Sequence, residues 1–95
     1  MSLLIEQIRE TIGPVLRRYG VTRAGVFGSA VTGEAHEGSD IDIAVQIDTD
    51  TSLLDFIGLK LELEDTLGRK VDLVEYDAIK PRLRESILQQ QETIL

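Results

Sequence analysis

The sequence predicts an α/β fold: a small mixed β-sheet with helices packed on it. Three observations predict it. Ile41, Ile43, Val45 and Ile47 alternate with Asp40, Asp42, Ala44 and Gln46, the period of a strand with one covered face. A helical segment over 52–68 separates that strand from a second apolar run, Val71, Leu73 and Val74, and such a β-α-β order favours parallel strands with a right-handed crossover. Helical patterns also stand at both ends of the chain. Ninety-five residues are the length of one domain, so 1–95 is expected to fold around one modest core.

The elements follow in order. Leu4, Ile5, Ile8, Ile12, Val15 and Leu16 keep helical spacing up to Arg18, with Gly20 as the stop. Gly13-Pro14 falls inside that pattern, and a proline there removes one hydrogen bond, so a kink or a split helix is expected. Val21 to Phe27 reads as a strand running into Gly28-Ser29, and 30–39 as a helical turn and a loop. Asp48 to Thr51 form a turn, and Ser52-Leu53-Leu54-Asp55 fits a capping box that opens the helix to Gly68. Lys70 to Tyr76 is the third strand. Pro81 suits the first turn of a last helix, expected to reach towards Leu95.

Leu53, Leu54, Phe56, Ile57, Leu59, Leu61, Leu63 and Leu67 cover half of the 52–68 helix or more, wider than the ~100° stripe of a surface helix. Either the helix packs under the sheet and against a neighbouring helix, or part of this face meets another chain.

Composition narrows the function. Hydrophobic residues are 42% and charged residues 28%, an ordinary globular balance. No apolar run approaches the ~20 residues of a membrane span, and the N-terminus lacks the pattern of a secretory signal. There are no cysteines, hence no disulfides, thiolate metal sites or cysteine nucleophiles. The net charge of −7 disfavours direct binding to a nucleic-acid backbone. A cytoplasmic protein is expected, with no membrane and no nucleic acid among its partners.

The chemistry is carried by acids. Asp40 and Asp42 are two apart, which on a strand sets both on one face with Cβ atoms roughly 6–7 Å apart. Two carboxylates at that distance repel by roughly 2–3 kcal/mol at an effective dielectric near 20. A divalent cation turns that repulsion into attraction, and an all-oxygen set suits Mg²⁺. Asp72 stands near the start of the third strand as the pair stands near the start of the second, so parallel strands bring the three to one edge. If the first strand runs antiparallel to the second, Gly28-Ser29 arrives at that edge too. Gly28 lets backbone N–H groups approach a phosphate, and Ser29 offers a hydroxyl. Two cations about 3.5–4 Å apart could then hold a triphosphate.

The string Gly28-Ser29-Ala30-Val31-Thr32-Gly33, then Gly38-Ser39-Asp40-Ile41-Asp42-Ile43, then Val71-Asp72-Leu73-Val74 resembles the minimal nucleotidyltransferases of the polymerase-β-like superfamily. The resemblance covers nearly the entire chain, including Pro81-Arg82-Leu83-Arg84-Glu85. It implies a polymerase-β palm-like fold, with Gly28 and Ser29 on the nucleotide phosphates. It also implies Asp40 and Asp42 as Mg²⁺ ligands, with Asp72 completing the metal site and helping to activate the attacking hydroxyl. Many relatives carry a basic residue where this chain has Thr32, and Arg69 or Lys70 are the nearby cations that could compensate.

The resemblance further implies an antitoxin that transfers AMP from ATP to a tyrosine of a HEPN-domain toxin, its partner. The acceptor is then held by that second protein or by a second copy of this chain, and the apolar 52–68 helix is a candidate surface for the contact. Two other readings stand beside it: an antitoxin with an idle site that neutralises by complex formation, and nucleotide transfer to a small molecule. Other tempting features carry less. His36 reads as a solvated loop residue. Asp48-x-Asp50-x-Ser52 lacks the glycine and polar ligand of a calcium loop, and Gly25-Val26-Phe27-Gly28 is no dinucleotide fingerprint. Glu75 and Asp77 read as surface acids.

Overall fold

The computed structural model describes residues 3–28, 40–48 and 50–95. Ser29, Thr32, His36 and the helical turn expected within 30–39 lie outside the described residues. The elements are α1 (Leu3–Arg18), β1 (Arg23–Phe27), β2 (Ile41–Gln46), α2 (Leu53–Leu67), β3 (Val71–Glu75), a 3₁₀ turn (Tyr76–Ala78), α3 (Pro81–Gln90) and β4 (Glu92–Thr93). The four strands form one sheet in the order β3-β2-β1-β4. β1 is antiparallel to both β2 and β4, and β2 is parallel to β3. The sheet is therefore mixed.

α1 is one helix, not two, with Pro14 inside it. Glu10, whose carbonyl loses its partner to the proline ring, is exposed, and so is Pro14, so water can satisfy that carbonyl. Buried Ile12, Val15 and Leu16 hold the helix on the core on either side of Pro14. α2 begins as its sequence says: Ser52 Oγ accepts from the Asp55 N–H, and Ser52 O accepts from the Phe56 N–H. It ends at Gly68 in the left-handed region, φ 68°, with the Gly68 N–H on Glu64 O.

The last helix stops short of the expectation. α3 ends at Gln90, and the chain turns into β4, which pairs Thr93 with Gly25 and Glu92 with Val26. Ile94 is buried, and its N–H donates to Ala24 O. The free edge of β1 needs a hydrogen-bonding partner, and this apolar tail supplies one.

The main core lies between the sheet and the two longer helices: Ile5, Ile8, Ile12 and Leu16 from α1, Leu59 and Leu63 from α2, and Ile41, Ile43, Val45, Val71 and Leu73 from the strands. A smaller cluster on the other face joins Ala44, Tyr76 and Ile79, with Phe27, Val74 and Ile87 packed against it. α2 thus packs one strip against the core and leaves the remainder open, with Leu53 73%, Leu54 81%, Ile57 43% and Leu61 57% exposed.

Candidate functional site

Antiparallel pairing of β1 with β2 sets Phe27 opposite Asp42, and parallel pairing of β2 with β3 sets Asp42 opposite Asp72. The end of β1 and the starts of β2 and β3 therefore share one edge of the sheet. Asp40 immediately precedes β2 and is exposed, Asp42 is half-buried and Asp72 is exposed. Ile41 and Ile43, on the opposite face, anchor this stretch in the main core. The alternation that buries the isoleucines is what turns Asp42 outward.

Gly28 closes β1 with φ 73°, a conformation that side chains rarely adopt, and a Cβ there would collide with Asp42 Oδ2. The glycine is needed for its backbone angle and for the nearness of the carboxylate. Its N–H donates to Gln90 Oε1 at 3.4 Å. Ser29, the remaining site residue of the sequence reading, lies outside the described residues.

Electrostatics bind the acids into one unit. The Asp42 carboxyl holds its proton above the ordinary carboxylate range: partial burial penalises its anion, and the charges of Asp72 and then Asp40 add to the penalty. A hydrogen bond to Asp72 pushes the same way, since it is made by the protonated Asp42 carboxyl. Among the described residues no three acid or histidine side chains are already gathered into a metal-holding cluster. The donor set is all oxygen and strongly negative, the chemistry that suits a hard divalent cation such as Mg²⁺.

Other residues of the sequence reading fall further out. Arg84 donates to the carbonyls of Asp77 and Ile79, clipping the 3₁₀ turn to α3. Arg69 lines a cavity of about 370 Å³ on the helix side of the sheet, with Ile8, Thr11, Ile41 and Leu67. Lys70 O accepts from the Ile41 N–H and helps set the register of the two acid-bearing strands. Glu75 and Asp77 are exposed, as expected. Gln90 is the site neighbour that the sequence did not announce, because only the fold brings the end of α3 back to β1.

Residues 10–95 match the Polymerase beta, Nucleotidyltransferase family. A Methanocaldococcus jannaschii protein, named as a candidate protein adenylyltransferase, is 44% identical over 91 residues, covering 96% of this chain and 98% of its own length. The protein adenylyltransferase MntA of Thermococcus cleftensis is 47% identical over 73 residues, 77% of this chain and 74% of that one. Among solved structures, a candidate minimal nucleotidyltransferase superposes with a TM-score of 0.82 at 40% identity, covering 94% of this chain and 91% of the other. A toxin–antitoxin structure with AMP-PNP superposes with a TM-score of 0.80 at 27% identity, covering 92% and 72%.

Proposed function

This chain belongs to the polymerase-β nucleotidyltransferase family, and on that premise we propose that it is a Mg²⁺-dependent protein adenylyltransferase, the antitoxin of a toxin–antitoxin pair. The acceptor in this reading is a hydroxyl, a tyrosine of a HEPN-domain toxin. The observation that carries it is the register Phe27–Asp42–Asp72, which brings a glycine turn and the acids to one edge. Related proteins named as adenylyltransferases, and toxin–antitoxin complexes of the same fold, support the same direction.

Asp40, Asp42 and Asp72 would hold the metal. When bound, Mg²⁺ supplies positive charge against the phosphates and the attacking oxygen. The Gly28 N–H binds a phosphate oxygen, and the absence of a Cβ lets the Asp42 carboxylate lie against the same stretch of backbone. The acceptor oxygen attacks the α-phosphorus in line, the α–β P–O bond breaks, and pyrophosphate leaves with the electron pair. Asp72, at the exposed edge strand, takes the hydroxyl proton as the new P–O bond forms.

The test is label transfer. Purified chain, Mg²⁺ and the neighbouring gene's protein are incubated with ATP labelled on the α- or on the γ-phosphate. The reading expects protein-bound label from the α-position only, lost in Asp42→Asn. Label from the γ-position would mean a kinase. Neutralisation of the partner without label, equally by Asp42→Asn, would mean a binding module.

A further inference from the structure

The Gly28 amide is already in use. Its N–H donates to the side-chain oxygen of Gln90, the last residue of α3. The next residue fixes that placement: Gln91 Oε1 accepts from the Tyr76 hydroxyl and lies so close to Gly25 that any Cβ there would collide with it. Tyr76 is buried in the small cluster with Ala44 and Ile79, on the face of β2 that bears Asp42. The end of α3 is thereby tied to β1 at Gly25, and the adjacent carboxamide is delivered to Gly28, beside Asp42.

A carboxamide oxygen and a phosphate oxygen are both acceptors for the same N–H, and a single hydrogen cannot serve both at full strength. Resting on the nucleotide reading above, we propose that Gln90 is an internal ligand of the Gly28 amide that competes with a nucleotide phosphate, so that the end of α3 sets nucleotide affinity. Gln90 is exposed, so its side chain can turn into solvent when phosphate arrives while Gln91 stays in place. The apparent affinity is lowered by the fraction of molecules in which Gln90 holds the amide, about two- to tenfold for an ordinary exposed hydrogen bond.

Two variants separate competition from a structural role. Gln90→Ala removes the competitor and should tighten binding of a Mg²⁺–ATP analogue by that factor. Gln90→Glu installs a charged acceptor, stronger on the amide and repulsive to phosphate, and should weaken binding about tenfold or more. A residue that merely supported the fold would shift both variants the same way. Affinity is read by calorimetry with a non-hydrolysable ATP analogue, and the Gly28 amide resonance is followed by ¹⁵N NMR without nucleotide. The expected result is opposite shifts in affinity, with the Gly28 resonance moved by Gln90→Ala. Parallel weakening, or unchanged affinity in both, overturns the competition. A Gly28 resonance indifferent to Gln90→Ala overturns the contact itself. If no form of the chain binds nucleotide while that resonance still moves, the nucleotide reading has failed and the competition falls with it.

Discussion

Asp42 carries a carboxyl that its surroundings disfavour as an anion. Folded, it binds its proton to higher pH than the ordinary carboxyl at 3.8, first because of burial and then because of Asp72 and Asp40. Between the two values the folded state binds more protons than the unfolded one, so this group's contribution to stability falls as pH rises. At neutral pH the ionised side chain weighs against the fold. Asp42→Asn is therefore expected to raise the melting temperature of the metal-free protein at pH 7. The side chain is partly open to solvent, so the gain is about 1 kcal/mol at most, or ~4–8 °C, fading as pH falls towards 3.8. The same variant should abolish AMP transfer. A melting temperature that falls at pH 7 would show that the acids do not repel one another as argued. Gly28→Ala is the second test at this scale: strained backbone and a collision with Asp42 should destabilise by about 1–3 kcal/mol and weaken nucleotide binding, both measurable by thermal melts with and without ligand.

Single elements show which parts of the fold could be read locally. Ser52→Ala removes the side-chain cap of α2, and a loss of about 1 kcal/mol is expected with label transfer retained, since the cap contacts no site residue. A matching loss of activity would tie the helix start to the site. That cap, the Gly68 stop and the period-2 strand at 41–46 were all legible in sequence, because each is written in adjacent residues. β4 was not. Its two residues carry no period, and what makes them a strand is the unpaired edge of β1, nearly seventy residues earlier. Pro14 shows the same limit: the local rule allows a kink or a split, and the packing of Ile12, Val15 and Leu16 on either side of it keeps α1 from splitting.

At the scale of the molecule, topology does the assembling. A parallel β2–β3 pair and an antiparallel β1–β2 pair bring the start, start and end of three strands to one edge, so acids 30 positions apart become neighbours. The parallel pair is legible because a β-α-β unit permits few arrangements, whereas the sequence leaves the antiparallel β1–β2 pairing as a condition that the fold then meets. The contact of Gln90 with Gly28 was not, since it depends on where α3 ends. A chain with net charge −7 that draws Asp40, Asp42 and Asp72 towards one another keeps that arrangement against electrostatic repulsion. The direct measurement is a calorimetric titration of a non-hydrolysable ATP analogue, with and without Mg²⁺, into the wild-type chain and the Asp40→Asn, Asp42→Asn and Asp72→Asn variants. The account predicts Mg²⁺-dependent binding by the wild type that each substitution weakens at least about tenfold, the loss of one charge-assisted contact. Binding that ignores Mg²⁺, or that survives all three substitutions unchanged, would contradict it.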